Sequence, residues 1–351
     1  MSQDQSFLSK MGESFRGATP SLQLQAFVGG KKEIDVQVGS EYRYYDWASL
    51  TKIVFSTSLL MRLYDEKRFN LDTKVKSQVL WYSRDHSLKN LLSHSAGLIW
   101  WKPYYREILL DRTPEEKLTQ LESIISSSPI FDEQNPSGVH KAVYSDLDLF
   151  LLSFYYTKLT KQNLLSLWTE QKERIGFDTT NFHYLNKPVF KIEDYAPTEN
   201  SEWRAQVMQG QVHDENTWAL GGIAPHAGLF GEIAELSRWG LKIRQGMRGD
   251  NVKDFATSAS ILAFTKRAIP EELGDWASGF MMPTKGRASC GKYFSENSIG
   301  HTGFTGTSIW YDPKKDLLVS ILSNRVHPTR DNQEFASLRP KLHDWVFETI
   351  S

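Results

Sequence analysis

Residues 46–54 read DWASLTKIV, with Ser49 and Lys52 three apart at the head of a long apolar stretch. From Ser49 to Phe69 the apolar residues Leu50, Ile53, Val54, Leu60, Met61 and Tyr64 recur at helical spacing, with further apolar residues between them. A helix apolar round most of its circumference belongs at the centre of a fold. Positions i and i+3 share a helix face, so the two side chains are expected to meet. A serine in the first turn has its hydroxyl near unpaired N–H groups and the positive end of the helix dipole. A lysine desolvated beside it has a lowered pKa, and its neutral amine can take the serine proton. Taken alone, the pair reads better as a helix cap and a solvated surface lysine.

Strand patterns lie toward both ends of the chain. LQLQAFVGGKKEIDVQVGS (22–40) alternates apolar and polar residues on either side of Gly29-Gly30 and reads as a β-hairpin. TSIWYDPKKDLLVSILSN (307–324) reads as two strands joined at Asp312-Pro313. Helical patterns fill the middle: SLKNLLSHS, TPEEKLTQLESII, SDLDLFLLSFYYTKL, NLLSLWTEQKERI and EIAELSRWGLKIRQG all carry apolar faces. Thr113-Pro114-Glu115-Glu116 is a helix start with proline at the first helical position. SLRPKLHDWVFETI (337–350) closes the chain as a helix. The expected fold is therefore α+β: one antiparallel sheet built from both termini, flanked by helices, with an all-helical lobe inserted between its halves. As a division of one 351-residue catalytic domain, this gives an α/β lobe over 1–75 plus 270–351 and a mainly helical lobe over 76–269.

Composition excludes several functions. A formal net charge of -1 leaves no basic field to attract nucleic acid. The single cysteine, Cys290, rules out an internal disulfide framework and a cysteine-rich metal site. The nine histidines show no metal-ligand spacing, so neither a metal nor a cofactor is expected. No apolar run reaches the ~18 residues that a membrane span needs. The first residues, MSQDQSFLSKMGESF, show no basic stretch leading into a long apolar run. As written the sequence reads as cytoplasmic, or as periplasmic or secreted if an export signal has been removed. GRASCGKY (286–293) has the glycines and lysine of a phosphate loop, but Tyr293 stands where a Mg²⁺-binding Ser/Thr is required. There is no G-x-S-x-G elbow and no H-E-x-x-H. The expected partner is a small-molecule or peptide substrate.

Two further segments change the reading of Ser49 and Lys52. VYSDLDLF places Tyr144-Ser145-Asp146 before an apolar helix, and GHTGFTGTSIWYDP places His301-Thr302-Gly303 before a strand. The order Ser-x-x-Lys, Tyr-Ser-x, then a basic residue with Thr-Gly resembles the serine β-lactamase and penicillin-binding-protein superfamily, in particular its class C and esterase branch. LLSHSAGL (91–98), GGIAPHAGLFGEIAELSRWG and SNRVHP extend the resemblance from about Leu22 to the end. It implies that Ser49 is acylated, that Lys52 is the general base and that Tyr144 relays the proton to the leaving group. It also implies an oxyanion hole of the Ser49 and Phe304 N–H groups, with Gly303 letting substrate lie close to the backbone beside Thr302. His94 is read as tying down a loop. One of the aromatics Trp100, Trp101, Tyr104 and Tyr105 is expected to line the cleft, with Trp101 the candidate.

The chain departs from that pattern twice. Asp146 replaces an asparagine, and as a carboxylate it only accepts hydrogen bonds. It either pairs with Lys52 and raises its pKa or recognises a substrate amine. His301 replaces a lysine that carries a fixed charge suited to a substrate carboxylate. An unperturbed imidazole, with a pKa near ~6.5, faces the cleft in this reading and gives activity a pH limb of its own. Both changes disfavour β-lactams and favour an esterase, amidase or peptidase. VHDENTWALGG (212–222) resembles a stretch in superfamily members that act on cell-wall fragments. The rival expectation is a binding or sensor domain that keeps the pocket but turns over slowly or not at all.

Overall fold

The computed structural model describes residues 2–131 and 140–351. The alternating hairpin forms as Ser21–Val28 and Lys31–Gly39. Its turn uses Gly29 and Gly30 at φ 62° and 85°, left-handed backbone that glycine adopts without a Cβ penalty. Three strands from the far end of the chain complete the sheet. Its order is Lys31–Gly39, Ser21–Val28, Leu317–Ser323, Ser308–Asp312, Ile299–Thr302, all antiparallel. Leu22 lies opposite Ser323 and Val28 opposite Leu317, so the first strand is stitched to the last along its whole length.

The period-two pattern gives the sheet two apolar faces. Leu22, Leu24, Ala26, Val319 and Ile321 face a core closed by the helices Gln3–Met11 and Glu334–Ile350, through Phe7, Met11, Phe335, Leu338 and Leu342. Phe27, Ile309, Tyr311, Leu318 and Leu322 join the larger core on the other face. There the helix Ile233–Met247 packs on the sheet with Leu236, Trp239 and Ile243 buried. Gly240 lets it sit close: a Cβ there would stand 2.7 Å from Ile309 Cδ1 and 2.9 Å from Leu318 Cδ1. This helix lies before residue 269, within the segment assigned above to the helical lobe, yet it forms a layer of the sheet because its apolar stripe matches the sheet's face.

The central helix is buried as its composition demands, but it is not a plain α-helix. Lys52–Thr57 is a π-helical turn that continues as the α-helix Ser58–Asp65. The Ser58 N–H and hydroxyl both donate to Ile53 O, which satisfies the carbonyl that the wider turn displaces. Such insertions recur at functional sites. The helical region is organised by side-chain caps, the expected Thr113 for Pro114–Ser126 and also Ser87 for Leu88–Leu92, Ser145 for Asp146–Thr160 and Asn163 for Leu164–Ile175. The Asp146–Thr160 helix is buried from Leu147 to Tyr156 and packs against the central helix. Among the described residues no helix is long and apolar enough to cross a membrane.

Candidate active site

Ser49 sits where a strand end becomes the central helix. Trp47 N donates to Leu229 O at 2.9 Å, fixing the chain on the short strand Leu229–Gly231. The buried Asp46 carboxylate accepts from Ala48 N and His213 N, both at 2.8 Å. Ala48 adopts φ 49°, an unusual conformation for a residue with a Cβ, and turns the chain so that Ser49 opens the first helical turns. Lys52 follows at 1% exposure. Its Nζ lies 3.0 Å from Ser49 Oγ, 3.3 Å from His226 O and 2.8 Å from Asp146 Oδ1, the last contact too oblique for a well-formed hydrogen bond.

The Lys52 pKa follows the expected pairing with Asp146 rather than desolvation alone. Burial pushes the amine down, but the Asp146 carboxylate and the Tyr144 hydroxyl outweigh it, and the pKa is raised above the ordinary lysine value. The resting site therefore holds an ammonium. Tyr144 turns its hydroxyl inward to Lys52 and Ser49 while its ring flank stays 38% exposed to the cleft. Burial raises the phenol pKa, and Lys52 acts against that rise.

His94 positions Tyr144 from behind. His94 O accepts from Val143 N at 2.9 Å and His94 Nδ1 from Ser145 N at 3.3 Å, on either side of the tyrosine. Ser145 Oγ donates to Ile99 O at 2.6 Å, and Asp146 N to Trp100 O at 3.1 Å. The His94 ring packs 4.9 Å from that of Tyr144 and 4.5 Å from that of Trp276. Asp148 Oδ2 lies 2.7 Å from His94 Nδ1. Burial holds the Asp148 carboxyl well above its usual range and His94 well below its own.

His301 lies 5.8 Å from the Tyr144 ring, centroid to centroid. It is 1% exposed, and its Nδ1 is engaged with Thr302 O at 2.8 Å. Burial and the nearby Lys52 charge push its pKa down to about 3, so the expected unperturbed imidazole is corrected to one that stays neutral through the working range. Half-buried Thr302 and exposed Phe304 flank Gly303 on the cleft wall. A Cβ at Gly303 would meet Thr307 Oγ1 at 2.0 Å and Trp47 O at 2.7 Å. Thr305 and Thr307 hydroxyls donate to Asp46 O and Trp47 O at 2.8 and 3.0 Å, tying this loop to the Ser49 turn. Neither the Ser49 nor the Phe304 N–H is taken up by another group among the described residues.

These groups share one cleft of about 630 Å³, which Trp101 and Trp100 also line. The trait that the sequence hid is its charge. Asp214 Oδ1 lies 3.1 Å from His226 Nε2, which stands 4.0 Å from Asp146 Oδ2. Asp146, Asp214 and His226 thus form a small anionic cluster whose ligand atoms lie within 4.8 Å of one another, with the Lys52 ammonium already seated on it. At the other side Arg339 donates from Nη2 to Gly303 O at 3.2 Å, while its buried Nε has no partner among the described residues. Burial and Arg325 lower its pKa to about 10, which still leaves a cation. Sequence spacing gave no sign of Arg339, His226 or Asp46. Asp46 was visible in the opening stretch, but its partners lie at residue 213 and in the turn itself.

Fold and side-chain set together define a serine hydrolase. The chain belongs to the beta-lactamase family: the family model described as Beta-lactamase matches residues 19–340. It is 28% identical over 346 residues to a protein of Escherichia coli (strain K12) named "Putative D-alanyl-D-alanine carboxypeptidase", covering 87% of this chain and 76% of that one. Its fold is similar to that of EstCE1, titled a hydrolase with promiscuous acyltransferase activity, with a TM-score of 0.71, 16% identity and 98% and 99% of the two chains covered. A class C beta-lactamase mutant is similar at a TM-score of 0.69, again with 16% identity and 97% of each chain covered.

Proposed function

We propose that this hydrolase cleaves an ester or amide through an acyl-enzyme on Ser49, and that its substrate is a cell-wall-derived peptide bearing a free carboxylate. The observation that carries the reading is Arg339. His301 is neutral where the family pattern carries a lysine, and Arg339 supplies a positive charge beside Gly303 with no carboxylate partner among the described residues. A guanidinium suits a carboxylate in geometry as well as charge. The name carried by the Escherichia coli relative supports the same class.

In this mechanism Ser49 Oγ attacks the carbonyl carbon as its proton passes to the Lys52–Tyr144 pair. The oxyanion is received by the Ser49 and Phe304 N–H groups. Tyr144 returns the proton to the leaving group as the scissile bond breaks, and water then releases the acyl group. Because Lys52 rests as an ammonium, the pair must first lose a proton, and activity rises with pH. That same observation favours a second reading, a slow-turnover binder or sensor that acylates and stalls.

One experiment separates these readings. The chain is offered p-nitrophenyl esters, muropeptides ending in D-alanine and a chromogenic cephalosporin, while Ser49 is followed by intact mass and peptide mapping. Steady release with D-alanyl muropeptides preferred supports the peptidase, whereas a single burst with acyl-Ser49 persisting supports the sensor. A fluorophosphonate adduct elsewhere, with Ser49→Ala still reactive, overturns both.

A further inference from the structure

Five aromatic side chains form a path leading away from Ser49 that the acyl transfer does not use. Trp100 and Trp101 line the cleft and stack with centroids 5.8 Å apart at 29°. Trp101 lies 6.4 Å from Tyr105, Tyr105 4.5 Å from Trp203, and Trp203 5.3 Å from Trp218. The path is not core, since Trp100 is 66% and Trp203 44% exposed. Large flat apolar surfaces held in water mark interaction sites when they are contiguous.

The path is also built before any ligand arrives. It is carried by separate segments, and Asn216 locks two of them together: its Oδ1 accepts from Tyr105 N and its Nδ2 donates to Lys102 O, both at 2.9 Å. Arg204 edges the outer end, 5.7 Å from the Trp203 ring and 6.0 Å from that of Trp218. Its other guanidinium contacts are to Ser201 Oγ and the carbonyls of Val212 and His213, with no carboxylate partner among the described residues. Preorganised rings reduce the ordering cost of binding.

We infer that this path is a saccharide subsite continuous with the catalytic cleft, which receives a sugar chain attached to the acyl side of the substrate. A pyranose has an apolar C–H face and a rim of hydroxyls. The path offers exposed ring faces at Trp100 and Trp203, with the Arg204 guanidinium at its outer edge. The inference rests on the acyl-transfer reading of the cleft but makes a separate demand on residues outside it.

The test uses the full chain with Ser49→Ala, so that turnover does not intervene, and tri-N-acetylchitotriose as the probe. Binding is followed by tryptophan fluorescence and calorimetry. Saturable binding is expected, weakened about tenfold or more by Trp203→Leu, which keeps apolar bulk but removes the flat face. Trp203→Tyr, which keeps a ring, is expected to retain most of the affinity. If thermal melting shows that Trp203→Leu has lost its fold, the exposed Trp100→Leu replaces it. No saturable binding, or equal affinity in the leucine and tyrosine variants, overturns the inference. So does saturable binding of dodecanoate with none of chitotriose. Failure of the hydrolase reading shows separately, as ester hydrolysis that survives Ser49→Ala.

Discussion

Asp146 sets the charge on Lys52, and that single contact governs how the site responds to pH. The ion pair at 2.8 Å stabilises the ammonium, so the proton-accepting form of the pair is reached only at high pH. Asp146→Asn removes the carboxylate and keeps the volume. Its pH–rate profile should shift to lower pH by about one unit or more, the usual scale for a charge partner at this distance. The profile of kcat/KM on a p-nitrophenyl ester checks this, and an unmoved limb would show that Lys52 is not the titrating base. His301 makes the opposite prediction. With its pKa at about 3, it is neutral in the folded enzyme throughout an assay from pH 5 to 9. The His301→Gln variant should keep its pH limb where the wild type has it, whatever happens to the rate. The residues of the three motifs were legible because each is local, a few positions of distinctive type. Their protonation was not, because it depends on Asp146 and on burial that only the assembled cleft creates.

At the scale of elements, the loop after Ile299–Thr302 matters most. Two threonine hydroxyls bind it to the Ser49 turn, and Gly303 leaves no room for a methyl group. Gly303→Ala must push the loop off Trp47 and move the Phe304 N–H. Its kcat should fall about a hundredfold, the usual cost of losing one oxyanion donor. Melting temperature should fall as well, because the clash is with the Trp47 backbone, and stopped-flow acylation would place the loss of rate in the acylation step. The cap at Thr113 was readable because capping is a matter of three or four neighbouring residues, and Ser145 and Asn163 start helices by the same local chemistry. The π-helical turn of the central helix was not readable. It is held by distant partners, Ser56 Oγ to Pro225 O at 2.7 Å and Trp239 Nε1 to Ser58 Oγ at 2.9 Å. Arg339 was hidden for the same reason: its helix touches the cleft only after the sheet is assembled.

Over the whole molecule, five buried histidines give the fold a shared acid sensitivity. His86 and His183 are pushed down to about 4, His301 and His343 to about 3, and His94 well below its ordinary value, in each case first by burial. In the unfolded chain each takes up a proton near pH ~6.5. The unfolded state therefore binds more protons between those limits, and stability falls as pH drops from ~6.5 toward 4. Melting temperatures at pH 8, 6 and 5 check this: a fall is expected already at pH 6, where the unfolded imidazoles are mostly protonated, and a further fall at pH 5, and a flat series would contradict it. The antiparallel sheet was legible from strand patterns at both ends, whereas the placement of Ile233–Met247 on it was not, because an apolar stripe does not name the face it will cover. The pairing of Leu22 with Ser323 has one more consequence, in time rather than space. A ribosome releases the hairpin some three hundred residues before its partner strand exists, so its inner edge and both apolar faces wait through most of synthesis. Folding of the sheet is gated by the emergence of Leu317–Ser323, and until then the nascent chain depends on whatever shields that edge.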